Sequence, residues 1–412
     1  MASDGKGEIK VNWIEATVSL FSGMYTITIE TNDLTVNWKN AVQGLSSHNR
    51  EMYTLLDLSN NKFSGDVPDS YGNLWGLKLL NLSYNKLSGY IPQSFGDLQS
   101  IEALDLSNNN ISGTIPQSFS KLDQLSVLDV SNNKLSGEIP RGGQMDTMND
   151  PSYFANNSGL CGMQIRVNCS KDEPPPNDGQ DEDDDDEKEP WFLWTGAWIG
   201  FPLGLISSVL TAFLDIPEWI STQKNLDILD LSNSSLTGKF PLWLAEMDIK
   251  SILLSHNKLT GSIPSRLFQS SSLSILALSK NNFSGELPEN IGDAHNIKVL
   301  MLSANNLSGA IPKSIADIPE LVLLDLSRNK FSGNTFPVFD PNGSLYYGDF
   351  SSNELPGEIP VSFCKDTGIL ALGENKFSGR LPGGLTNMNE LEYQHRSTTQ
   401  FTIGTDKSQN VV

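Results

Sequence analysis

Four segments beginning at Leu56, Leu80, Leu104 and Leu128 read LDLSNNKFSGDVP, LNLSYNKLSGYIP, LDLSNNNISGTIP and LDVSNNKLSGEIP, a fixed step of 24 residues. A second run starts at Leu229, Ile252, Leu276, Leu300, Leu324, Gly348 and Leu370, stepping by 24 apart from one step of 23 and one of 22. Eleven copies of so short a unit leave few folds open. One copy cannot bury a core, so the copies must stack as a solenoid stabilised by neighbour contacts. Length alone would divide the chain into several domains, and the repeat overrides that prior.

Each part of the unit has a physical role. Leucines two apart point inward from a short strand, and the residue between them faces out. The Asn five residues after the first leucine, at Asn61, Asn85, Asn109 and Asn133, can turn inward and satisfy backbone groups of neighbouring coils. The following Leu or Phe packs under a turn, the Gly permits a tight path, and Ile-Pro closes the convex side in extended conformation. Ser234 replaces the ladder Asn and Gly348 the first leucine, two local weakenings that a neighbouring coil offsets.

Composition excludes several functions. The formal charge is −21, from 28 basic against 49 acidic residues, and no cluster of Lys and Arg offers the positive patch that nucleic acid requires. Much of the excess lies between Asp172 and Glu189, with eleven acids and one Lys. A block of like charges stays solvated and serves as a spacer, although it could also attract a basic partner. The four histidines, His48, His256, His295 and His395, are scattered without metal-ligand or nucleophile spacing, and no phosphate loop or kinase motif occurs. No enzyme, cofactor or metal site is expected.

The form LxxLxLxxNxLxGxIP resembles the plant-specific class of extracellular leucine-rich repeats. Residues 142–169, GGQMDTMNDPSYFANNSGLCGMQIRVNC, are similar to the C-terminal cap of plant receptor-like proteins, cell-surface receptors without a kinase. The resemblance implies a disulfide between Cys161 and Cys169, which an oxidising compartment would preserve. Cys364 has no evident partner and reads as a small buried thiol. Eight Asn-x-Ser sequons, at Asn81, Asn110, Asn156, Asn168, Asn233, Asn282, Asn306 and Asn342, suit a secreted glycoprotein. Some would arise by chance in a repeat rich in Asn and Ser.

Residues Trp191 to Leu214 hold no charge. As a helix of about 36 Å they would span a bilayer core of about 30 Å; the alternative is a helix buried in a soluble domain. Gly196, Gly200 and Gly204 would line one face of that helix and admit another closely, though glycines are common in membrane helices generally. The family resemblance gives that face to a partner kinase.

The expected fold class is therefore an α/β repeat, a leucine-rich-repeat solenoid of the plant-specific 24-residue type in two blocks, plus one transmembrane helix. The domains read as the C-terminal part of an island-like insert (1–52), four repeats (53–155), a cap (156–171), an acidic juxtamembrane linker (172–190), the membrane helix (191–214), seven repeats (215–385) and the start of an island-like insert (386–412). The first residues lack the basic-then-apolar layout of a signal peptide.

The order of these parts is inconsistent with a simple receptor. A span at 191–214 would put the two blocks on opposite sides of the membrane, yet each holds four sequons, and no basic cluster follows the span as a cytoplasmic tail requires. Placed before residue 1, residues 215–412 would supply the missing upstream coils, and the two island halves would join. The chain then reads as a permuted, misjoined or fragmentary receptor.

Solenoid receptors bind on the strand face. The candidate ligand positions are the middle strand residues: Asp57, Asn81, Asp105 and Asp129 in one block, and Asp230, Leu253, Ala277, Met301, Asp325 and Asp349 in the other. The acids could receive a basic or polar peptide, and Leu253, Ala277 and Met301 form an apolar patch beside them. The plainer account is that Asp solvates the strands and discourages edge pairing. The island aromatics Trp13, Tyr25, Trp38, Tyr393 and Phe401 are further candidates by resemblance alone, a packed plug being the simpler reading.

The resemblance implies a plasma-membrane, single-pass receptor with extracellular repeats. It would bind a peptide, glycan or microbial protein and signal through a receptor kinase adaptor and co-receptor in defence or development. A soluble or wall-associated inhibitor built on the same repeats, or a non-functional fragment, are the alternatives.

Overall fold

The computed structural model describes residues 54–169, 215–360 and 363–387, together with four strands nearer the start of the chain. Those strands form two antiparallel hairpins, Trp13–Leu20 with Gly23–Glu30 and Thr35–Trp38 with Ala41–Gly44. They fall within residues 1–52, the segment expected from the sequence to be part of an island-like insert. The acidic run, Trp191–Leu214 with Gly196, Gly200 and Gly204, and the tail 388–412 lie outside the described residues. Among the described residues no helix is long and apolar enough to cross a membrane.

The eleven repeats supply eleven parallel strands of one continuous sheet. Its order is not the chain order. It runs from Ile228–Asp230 through the second block to Ile369–Ala371, then crosses to Leu55–Asp57 and continues to Val127–Asp129. At the crossing, Ile369 pairs with Leu55, Leu370 with Leu56 and Ala371 with Asp57. The second block therefore stacks upstream of the first, as the rearranged reading requires.

The inward leucines form one apolar column. Leu56, Leu58, Leu80, Leu82, Leu276, Leu278, Leu370 and Leu372 are essentially inaccessible, and the core continues across the crossing. Between the columns runs the Asn ladder. Asn85 donates from Nδ2 to Leu58 O at 3.0 Å and to Leu82 O at 3.1 Å, and its Oδ1 accepts from Phe63 N at 3.1 Å. The side chain thus ties its own coil to the preceding one and pairs backbone groups of both.

The backbone shows three features that periodicity did not reveal. The segment after the ladder Asn is more than a turn: Lys62–Asp66, Lys86–Ser88 and their counterparts in most coils are strands of a second parallel row, broken into three short sheets of three, four and four strands. The residue before the ladder Asn is left-handed whatever its type, with φ of 53° at Tyr84, 51° at Ala304 and 54° at Arg328. Non-Gly residues keep such angles only where the surroundings over-determine them, and here bonds on both sides do so. Short 3-10 turns, among them Asp69–Asn73 and Gln93–Asp97, follow the Pro of most units on the convex side, and after Pro241 the turn is α-helical.

The two substituted positions are explained. Ser234 stands in the first coil of the stack, with no described coil upstream for an Asn to bind; Asn257 Oδ1 instead accepts its amide at 3.1 Å. At Gly348 a Cβ would lie 3.2 Å from Phe350 Cε2. The space of the absent leucine is taken by a cluster of Phe336, Phe339, Phe350 and Phe363, with centroids 4.8–6.1 Å apart.

Candidate functional site: the strand face

The strand face is a ruled surface, one residue before and one between the inward leucines of each coil. Its two kinds of position behave differently along the stack. Asp230 is exposed, and Asp57, Asp105 and Asp129 are half-buried. Leu253, Ala277, Met301, Asp325, Asp349 and Asn81 are buried, all at 5% exposure or less. The expectation that middle residues face solvent therefore fails for the centre of the face. There, residues of the first strand position, Ile275, Leu323, Tyr347, Ile369, Leu55 and Leu79, join Leu253, Ala277 and Met301 in a second apolar cluster, separate from the main core. The apolar patch is real, but it is buried rather than displayed.

The acids have a structural role that neither sequence account named. Asp57 Oδ1 accepts the amide of Ser59 at 2.9 Å, Asp105 that of Ser107 at 2.9 Å, Asp129 that of Ser131 at 3.0 Å and Asp230 that of Ser232 at 3.0 Å. This is the local Asx bond by which a short carboxylate holds its own backbone two residues on. The Asp-x-Ser spacing carried the signal. Asn81 makes the same bond, taking Ser83 N at 3.1 Å and Ser83 Oγ at 2.7 Å. Its burial also sets it apart from the other sequons, of which Asn110, Asn156, Asn168, Asn233, Asn282 and Asn342 are exposed and Asn306 half-buried.

At the middle of the face two acids stack on adjacent strands. Asp325 Oδ1 accepts from Ser327 N at 3.0 Å and Ser327 Oγ at 2.7 Å, and its Oδ2 is buried without a hydrogen-bond partner among the described residues. Asp349 takes Ser351 N at 2.9 Å and Oγ at 2.6 Å on one oxygen and the Tyr347 hydroxyl at 3.2 Å on the other. Burial pushes Asp325 up to about 8, with the neighbouring Asp349 charge adding to it. Burial likewise raises Asp349, and Asp57 is pushed up to about 6. Two carboxyls this close and this dry do not both ionise readily. Tyr347 was missed in the sequence because an aromatic at the first strand position looks like any other apolar residue.

The stack ends in an ordered cap. Gly159–Cys161 adds the last strand to one of the short parallel sheets, beside Lys134–Glu138. Asn157 continues the ladder one coil beyond Asn133, donating to Val130 O at 2.9 Å and accepting from Leu135 N at 2.9 Å. Cys161 and Cys169 are disulfide-bonded, with Cα atoms 5.2 Å apart. Cys364 is buried, and burial raises its thiol pKa. Among the described residues no group of His, Cys, Asp and Glu is arranged to hold a metal.

Inward leucines, Asn ladder, second row of strands and cap together define a leucine-rich-repeat solenoid. A sequence profile described as "Leucine rich repeat" matches residues 54–111, 92–135 and 271–331, and a second of the same description matches 225–247. The chain carries leucine-rich repeats homologous to Arabidopsis receptor-like proteins. It is 65% identical over 189 residues to "Receptor-like protein 46" of Arabidopsis thaliana, covering 45% of this chain and 23% of that protein. It is 29% identical over 174 residues to "Receptor-like protein 7" of the same plant, covering 41% of this chain and 12% of that one. The chain thus spans about a quarter or less of the length of these relatives. A crystal structure of a TDR receptor aligns over 82% of this chain and 50% of its own, at 26% identity and a TM-score of 0.42.

Proposed function

We propose that this chain is the ligand-sensing part of a plant receptor-like protein. It binds an extracellular peptide, glycan or microbial protein on its strand face and signals through partner receptor kinases in defence or development. The observation that supports this most is the unbroken eleven-stranded face, which offers one long surface only when both blocks contribute. The 65% identity to a receptor-like protein of Arabidopsis supports the class. The face offers shape and half-buried carboxylates to a ligand, its apolar residues being buried.

The end of the face nearest the cap, at half-buried Asp105 and Asp129, is the part that receives ligand. Each of these acids bonds its own backbone through Oδ1, which leaves the second oxygen to a basic or polar group. The apolar stretch Trp191–Leu214 holds the protein at the plasma membrane. A panel of synthetic peptides rich in Lys or Arg tests the surface directly. Hydrogen exchange should slow in strands Ala103–Asp105 and Val127–Asp129 on binding, and the double change Asp105→Lys and Asp129→Lys should abolish that slowing. Binding that survives both reversals places the ligand surface elsewhere.

A further inference from the structure

We infer that residues 215–387 lie on the same side of the membrane as residues 54–169. Three observations lead there. The crossing between blocks has a full set of coil-to-coil bonds: Leu55 N to Gly368 O at 3.0 Å, Leu372 N to Asp57 O at 2.9 Å and Glu374 N to Ser59 O at 3.0 Å. The Asn61 side chain adds two more, donating to Leu372 O at 3.1 Å and accepting from Phe377 N at 3.0 Å, partners more than 300 residues apart in sequence. The covalent path between the blocks runs from Cys169 to Asp215 and includes the whole uncharged stretch. One crossing of about 30 Å of hydrocarbon would separate those two residues, and no seam could form within the chain. Both end coils would then lose their cover, exposing leucines that are now inaccessible.

The second observation is the placement of the sequons. Asn110, Asn282 and Asn306 occupy the same place in their coils, immediately after a ladder Asn, and the first two are exposed. Glycan transfer occurs on one side of a membrane only, and acceptors of one geometry stand in both blocks.

Reach is the third. The connection leaves the cap at one end of the stack and must return to Asp215 at the other. Eleven strands spaced about 4.8 Å make a stack of roughly 50 Å. Residues 170–190 alone, at up to about 3.5 Å each, extend roughly 70 Å. A same-side return is therefore within reach even if the apolar stretch is wholly occupied in lipid.

Protease protection of the full-length chain in sealed microsomes tests this, with peptides of the two blocks followed separately by mass spectrometry. Both blocks should share one fate, protected together or digested together, and detergent should abolish any protection. If both are protected, glycosidase treatment should shift peptides containing Asn110 and Asn282 alike. Digestion of one block with survival of the other overturns the inference, as does glycan on one block with the other unmodified. The outcome is independent of whether the strand face binds any ligand.

Discussion

Between the coils that start at Leu56 and Leu80, the chain is continuous; between those that start at Leu370 and Leu56, it is not. The bonds are nevertheless the same. Leu58 N reaches Asn81 O at 2.9 Å in the first case, and Leu372 N reaches Asp57 O at 2.9 Å in the second. Asn85 bonds Leu58 O at 3.0 Å and Asn61 bonds Leu372 O at 3.1 Å. At the seam the rings of Phe63 and Phe377 stack, nearly parallel at 6.4 Å. A solenoid is built from nearest-neighbour interfaces, so a coil needs the right neighbour in space rather than in sequence. What differs is entropy. The continuous junction closes a short loop, and the seam closes a very long one, although the extra cost grows only with the logarithm of length.

Paired substitutions at the seam and at a continuous junction test this equivalence. Phe377→Ala removes a fully buried ring at the seam and should cost about 3–5 kcal/mol; Phe283→Ala, within a continuous junction, should cost the same in denaturant unfolding. A much smaller loss at Phe377 would mean that the seam is not formed. Breaking the cap pair with Cys161→Ser should cost about 2–4 kcal/mol and should raise hydrogen exchange near Leu160 without loosening the seam.

Asn61→Ala leaves Leu372 O and Phe377 N without their side-chain partner, an expected loss of about 1–3 kcal/mol. Asn109→Ala is its control, and the two should agree. A seam residue that proves silent while Asn109 does not would separate the two junctions.

The smallest effect concerns pH. Asp325 has a folded pKa of about 8, raised above its usual 3.8 by burial and by Asp349. A raised carboxyl binds its proton more tightly in the folded state, so its contribution is fully present below about pH 4 and is lost as pH rises through 8. Ser351, Tyr347, Arg328, Ser303 and Ser327 also act on the pair. Asp325→Asn should flatten the decline in stability between pH 5 and 8, with a gain of order 1 kcal/mol at the upper end. An unchanged pH profile would mean that the carboxyl is ionised throughout.

The scaffold was legible because its determinants recur every 24 residues: inward leucines, ladder Asn and turn Gly all appeared where the pattern put them. Asn157 lies one full step after Asn133, inside a cap sequence that no longer follows the repeat pattern. The second row of strands was not legible, since Lys62–Asp66 and its counterparts are short and their pairing depends on the next coil. Nor were the left-handed residues, because Tyr84, Lys280 and Ala304 share no chemistry and are forced by their neighbours. For the candidate site, period-two alternation correctly set the direction of each side chain. It could not tell that Met301 and Asp325 are buried while Asp230 is exposed, since burial depends on what packs over the face.

The most direct test of the single, reordered stack is a cysteine pair across its seam. Lys62 and Ser378 are register partners on adjacent parallel strands, and strands about 4.8 Å apart place such a pair within the usual disulfide range of about 4.4–6.8 Å. In a Cys364→Ala background, Lys62→Cys with Ser378→Cys should oxidise to an intrachain bond in a chain that remains monomeric. After cleavage within residues 172–190, the two blocks should stay covalently joined until reduced. Free thiols, or bonds formed only between separate chains, would contradict a solenoid in which residues 215–387 precede residues 54–169.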